Sequence, residues 1–175
     1  MRREVFIFSF LIVLSGSCRN ETDHQRAAVK PGSREMTELN RYLVQKDREI
    51  IQNYIERKSL KMTESSAGLW YLIKKEGSGQ FLKDDDRISI KYECRLIDGT
   101  LCYSSDDTGP RQIVIGKTDI EPGLNEGLRL LKQGGQAVFI LPPFLAFGLV
   151  GDGKKIPPRS IVVYDVSIVS EERME

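Results

Sequence analysis

Apolar residues along this 175-residue chain recur with two different periods. Over 35–61 the period is helical: Leu39, Leu43, Ile50 and Tyr54, joined by Ile51 and Ile55, stand three, four or seven apart with charged residues between them. This spacing predicts one amphipathic helix, with Thr37 placed to cap its start. Beyond Gly68 the period falls to two. "GLWYLIKKEG", "DDDRISIKYECRLIDGTLCYSS", "PRQIVIGK", "QAVFILP" and "SIVVYDVSIVS" read as strands divided by turns, with a hairpin at Asp98-Gly99. "EPGLNEGLRLLKQGGQ" interrupts them as a short helix: Pro122 and Gly123 open it, Leu124, Leu128 and Leu131 form its apolar side, and Gly134-Gly135 close it. Antiparallel strands with one short helix among them predict an α+β fold, the helix packed on one sheet face.

The amino terminus breaks both periods. In "MRREVFIFSFLIVLSGSC", Arg2 and Arg3 precede an apolar run from Val5 to Leu14 that is too short to span a membrane, and Ser15, Gly16 and Ser17 lead to Cys18. Residues 1–18 look like a bacterial lipoprotein signal, with Cys18 as the lipidated first residue of the mature chain, anchored to a membrane of the cell envelope. The leucine stands one position farther from the cysteine than usual, and an ordinary secretory signal or an uncleaved anchor are the other readings. Residues 19–34, "RNETDHQRAAVKPGSR", are polar and without an apolar period, a flexible tether. The sole histidine, His24, falls there, so the folded part has no histidine for a triad or general base.

Composition changes this picture little. The chain is 40% hydrophobic, enough for a core, and 26 basic against 25 acidic residues leave no global field that argues for nucleic acid. Three cysteines and one histidine offer no cluster with zinc spacing, and no metal or cofactor is expected. An exported chain permits a disulfide. A two-residue turn at Asp98-Gly99, however, would put Cys102 opposite Arg95 rather than Cys94, so buried free thiols are expected.

One loop carries apolar residues that loops seldom expose. "LPPFLAFGLVGDGKKIPP", residues 141–158, holds Phe144, Leu145, Phe147 and Ile156, and must either cover a core or line a site. With it, "ISIKYECRLIDGTLCYSS", "VIGKTDIEPGLNEGLRLLKQGGQAVFILPP", "LAFG" and "IPPRSIVVYDVSIV" follow one another in an order that resembles an FKBP-type peptidyl-prolyl isomerase over roughly 68–171. The signal and the preceding helix are also similar to those of exported isomerase lipoproteins of Bacteroidetes associated with gliding motility. The resemblance implies a curved antiparallel sheet wrapped on one short helix, and proline-containing polypeptides as substrates.

The resemblance also implies a site. Tyr92, Phe147 and Tyr164 fall on its catalytic aromatics, and Ile120 and Ile156 on pocket walls. Glu121 contributes its backbone N–H, and Leu124 replaces a tryptophan floor. Cys102 and Tyr103 replace an aromatic and an aspartate, Arg111 stands where an aromatic is common, and Phe147 lacks a tyrosine hydroxyl. Phe147 and Ile156 are expected to touch a prolyl ring, with Phe144 and Leu145 anchoring the loop. By spacing alone, Tyr92, Ile120 and Tyr164 would read as core residues of a curved sheet.

The implied chemistry demands little. Rotation about a peptide bond meets a barrier of ~18–20 kcal/mol, and a pocket lowers it only by binding the twisted imide more tightly than the planar forms. No nucleophile or base is needed. Loss of two polar anchors implies a weaker isomerase and weak binding of macrolide ligands; a non-catalytic binding module or chaperone is the reading from another class. The helix over 35–61 either docks on its own domain or holds a homodimer or client.

Overall fold

A computed structural model describes residues 32–171. The expected signal with Cys18, His24 and nearly all of the tether lie outside the described residues. Helix α1 runs from Ser33 to Arg57, beginning inside the expected tether. Its start is closed by Glu35, whose side chain accepts from Gly32 N–H at 2.9 Å, and not by Thr37, whose hydroxyl donates back to the Ser33 carbonyl at 2.9 Å. Thr37 sits one turn inside the helix, where only the i−4 carbonyl is within its reach.

The strands are β1 (Thr63–Glu64), β2 (Trp70–Lys75), β3 (Ser78–Phe81), β4 (Arg87–Leu96), β5 (Leu101–Ser104), β6 (Arg111–Val114), β7 (Lys132–Gln133), β8 (Gln136–Leu141) and β9 (Val162–Glu171). Seven form one antiparallel sheet in the order β1-β2-β8-β9-β4-β5, with β6 also paired to β4; β3 and β7 make a separate ribbon. Helix α2 (Ser105–Thr108) divides β5 from β6, and α3 (Pro122–Leu128) precedes β7.

Strand alternation sorts the side chains into two layers. Ile88, Ile90, Tyr92 and Cys94 of β4, Ala137, Phe139 and Leu141 of β8, and Val162, Tyr164, Val166 and Ile168 of β9 pack with Leu124, Leu128 and Leu131. Trp70, Ile140, Ile161 and Val163 point to the other face and pack with Ile51, Tyr54 and Ile55 of α1. Glycine lets α3 lie this close: a Cβ at Gly127 would stand 2.8 Å from the Phe139 ring, and one at Gly123 2.7 Å from Leu141.

The amphipathic helix therefore docks on its own domain, through its carboxyl-terminal half. Asp47, itself buried, accepts from Arg159 at 2.9 and 3.0 Å and fixes α1 to the approach to β9. The amino-terminal half keeps Met36, Leu39, Tyr42 and Val44 exposed.

The hairpin between β4 and β5 differs from the expected two-residue turn. Leu96 N–H donates to the Thr100 carbonyl at 2.9 Å, closing a loop of Ile97, Asp98 and Gly99 with Gly99 at φ 98°. Such a loop carries a bulge, which puts Leu101 opposite Arg95 and Tyr103 opposite Cys94. Cys102 thus sits between the paired positions instead of opposite Arg95. Both Cys94 and Cys102 are free and buried.

Candidate functional site

β5 and β6 run along the same edge of β4, and α2 parts them. Where the ladder is parted, the Tyr92 N–H donates to Ser105 Oγ at 3.0 Å, so the strand stays satisfied while the Tyr92 side chain faces α3. Tyr92 and Tyr164, on adjacent strands, bring their rings to 6.0 Å at a tilt of 40°. The segment before α3 adds Ile120 and Glu121, α3 adds Leu124, β5 adds Cys102 and Tyr103, and the β8–β9 loop adds Phe147 and Ile156; the apolar members belong to one cluster.

The cluster has a sealed base and an open rim. Leu124, Cys102, Tyr164 and Ile156 are at most 2% exposed, whereas Tyr92, Tyr103, Ile120 and Phe147 are half-buried. A ring arriving from solvent meets the rim residues first, with Ile156 behind them. Leu145 packs against Gly123 and the core as expected, but Phe144 is 48% exposed and rests on Gly68 at the sheet edge. It is one residue past the proline pair, where a 3-10 turn over Pro143–Leu145 rotates it outward.

Two polar features escaped sequence reading. Tyr103 is more than a missing aspartate: its hydroxyl donates to Asp152 on the β8–β9 loop. The other oxygen of Asp152 accepts from the N–H groups of Lys154 and Ile156, each at 2.8 Å. Cys102 Sγ donates to the Lys155 carbonyl at 3.6 Å, and the Lys155 ammonium stands 5.3 Å from the Tyr103 ring centre. Together these contacts latch the loop that carries Phe147 and Ile156 to β5. Gly151 is required beneath the latch, since a Cβ there would stand 2.2 Å from the Ile156 carbonyl.

The second feature is Glu121. It is 8% exposed, and its Oε1 accepts from the Tyr164 hydroxyl at 2.7 Å. Sequence gives no sign of this, because a glutamate before a helix reads as exposed. Its backbone N–H has no protein acceptor among the described residues.

The Tyr103 and Tyr164 phenols and the Cys94 thiol are held in their protonated forms. Burial, reinforced by the Glu121 charge, raises the Tyr164 phenol far above its ordinary value. Burial pushes the Cys94 thiol up to about 12, and donation to Asp152 pushes Tyr103 up to about 12. Burial works against the charge of Asp152, yet the Tyr103 hydroxyl and the Ile156 and Lys154 N–H groups hold its carboxyl below the usual 3.8. An apolar cup with an unpaired N–H at its edge and no ready nucleophile suits binding and distortion of a neutral group.

The family model for "FKBP-type peptidyl-prolyl cis-trans isomerase" matches residues 78–169. The chain belongs to the FKBP-type isomerase family. Among FKBP-type relatives, the Neisseria meningitidis protein named "Probable FKBP-type peptidyl-prolyl cis-trans isomerase FkpA" is 41% identical over 105 residues, which are 60% of this chain and 38% of that protein. Escherichia coli FkpA is 33% identical over 124 residues, 71% of this chain and 44% of the relative. The chain thus spans about half or less of the length of these curated relatives. The crystal structure of E. coli FkpA superposes with a TM-score of 0.63 at 27% identity, covering 82% of this chain and 74% of that one; that of AtFKBP13 gives 0.59 at 26%, covering 64% and 99%. The FKBP-type segment contains every residue of the cup. Among the described residues no helix is long and apolar enough to cross a membrane.

Proposed function

We propose that this chain is a peptidyl-prolyl cis/trans isomerase acting on proline-containing polypeptides, exported and held to the cell envelope by lipid on Cys18. The observation that carries the activity is the unpaired Glu121 N–H beside the apolar rim of Tyr92, Ile120 and Phe147. The rim takes the prolyl ring and withdraws water from the imide. The N–H holds a substrate carbonyl while the C–N bond turns, which favours the twisted state over either planar one. Tyr164 and Leu124 support the ring from beneath. The role is assistance to the folding of exported proteins, with gliding motility as the process suggested by the resemblance of signal and helix.

A peptide assay tests the activity: the chain accelerates cis/trans exchange of a Leu-Pro peptide, and Phe147→Ala and Tyr164→Ala remove the acceleration. Equal exchange with and without protein sinks the catalytic reading and leaves a binding module or chaperone, which the exposed Phe144, Leu149 and Val150 would serve. A homodimer through 35–61 would use the exposed Met36, Leu39, Tyr42 and Val44; sedimentation as a monomer at high concentration removes it. Release from membranes unchanged by Cys18→Ala removes the lipid anchor.

A further inference from the structure

Two carboxylates are buried among the described residues, Asp47 and Glu121, and they are satisfied very differently. Both oxygens of Asp47 accept from Arg159. Glu121 has only Oε1 engaged, by the Tyr164 hydroxyl at 2.7 Å, while Oε2 is sealed from solvent without a hydrogen-bond donor. Arg111 Nη1 stands 3.8 Å from Oε2, too far for a hydrogen bond, and Arg111 Nη2 donates instead to the Asp119 carbonyl at 3.3 Å. Native structures rarely leave a buried acceptor unpaired, so each one that is left calls for a physical explanation. Glu121 thus holds two unmatched groups, a backbone N–H and a carboxylate oxygen.

We propose that Glu121 is a specificity-determining residue whose Oε2 accepts the backbone N–H of the substrate residue that follows the proline. The inference rests on the isomerase reading above. Proline has no N–H, so the donor must come from a neighbour. In an extended chain the N–H and C=O of one residue point the same way, and paired residues of an antiparallel ladder exchange both. Glu121 can take both: its N–H binds the carbonyl, and its Oε2 stands in for the carbonyl a partner strand would supply. Arg111 is the piece that yields. Its side chain is 32% exposed and held by one long hydrogen bond, so it can swing outward as the substrate N–H replaces it at Oε2. The site therefore reads the peptide backbone after the proline, and it disfavours a second proline or any other residue without an N–H.

The test compares a Leu-Pro-Phe peptide with its analogue N-methylated at the phenylalanine, using the full chain and variants Glu121→Gln and Glu121→Ile. Exchange is followed by NMR and binding by titration. N-methylation is expected to lower the wild-type kcat/KM ~10- to 100-fold, the worth of a charge-assisted bond. Glu121→Gln, which keeps an acceptor oxygen, retains most of that ratio, and Glu121→Ile brings it within about threefold of unity, the level expected when no such bond is made. A wild-type ratio near unity, or one that Glu121→Ile leaves intact, overturns the inference. Should the wild type accelerate neither peptide, the isomerase reading falls and binding decides: tighter binding of the unmethylated peptide by wild type but not by Glu121→Ile supports the role of Glu121, and equal or undetectable binding overturns it.

Discussion

Removing the Tyr103 hydroxyl tests whether the latch between β5 and the β8–β9 loop sets the geometry of the site. In Tyr103→Phe the ring keeps its place between β5 and Lys155, and Cys102 keeps its contact with the Lys155 carbonyl, so only the bond to Asp152 is lost. A hydrogen bond to a charged group contributes ~1.5–3 kcal/mol when buried. Both partners here are half-buried, so solvent reduces this to ~1 kcal/mol. Since Asp152 also orders the Ile156 N–H, loosening it spreads the positions of Phe147 and Ile156, and about 1 kcal/mol corresponds to ~5-fold in kcat/KM. The loss should fall on KM, because the loop binds the ring and supplies no reacting group. A melt should shift by ~2–4 °C. Protease-free exchange with a Leu-Pro peptide measures the first effect, and circular dichroism the second. Wild-type kinetics in Tyr103→Phe would refute the positioning role, and a loss above ~100-fold would show that the hydroxyl touches the substrate itself. The carboxyl of Asp152 is depressed, so its contribution is complete above the usual value near 3.8 and disappears as pH falls through its lower folded value. Asp152→Asn should show less of this acid loss.

Other substitutions probe other parts of the argument. Gly127→Ala forces a methyl to 2.8 Å from the Phe139 ring and should cost ~1–3 kcal/mol, read as a lower melting temperature; an unchanged melt would mean α3 can lift from β8 without loss. The Cys94 thiol, pushed up to about 12, should resist iodoacetamide at pH 8 in the native state and react on unfolding, measured on its own peptide by mass spectrometry; rapid native labelling would contradict its burial. Macrolide ligands of FKBP-type proteins should bind with a Kd on the order of 1 µM or weaker by calorimetry, because Leu124 removes aromatic area and Glu121 adds a buried charge; low-nanomolar binding would refute this.

Periodicity was enough for the layers of this protein. Even-numbered residues of β9 from Val162 to Ile168 face α3, and Ile161 and Val163 face α1, because a strand of fixed pleat divides its side chains whatever the surroundings. The ordered motifs carry the residues that the fold gathers into the cup, although these stand on unlike elements: Tyr92 and Tyr164 inside strands, Leu124 inside α3, and Phe147 and Ile156 in the β8–β9 loop. Local pattern could not place Cys102, because one bulge, chosen by the hydrogen bond from Leu96 to Thr100, shifts the register by one residue. Nor could it show that α1 docks by only half its length, since the apolar period runs on through Leu39 and Leu43 whether or not a partner lies beneath.

The sequence alone determined which residues are apolar, their period, and hence the α+β layering and the family motifs. Tertiary structure decided the polar chemistry. Tyr103 meets Asp152 across 49 positions and Tyr164 meets Glu121 across 43. Whether a charge is buried, paired or left with an unmatched oxygen depends on neighbours brought from other strands, and no local spacing encodes those neighbours.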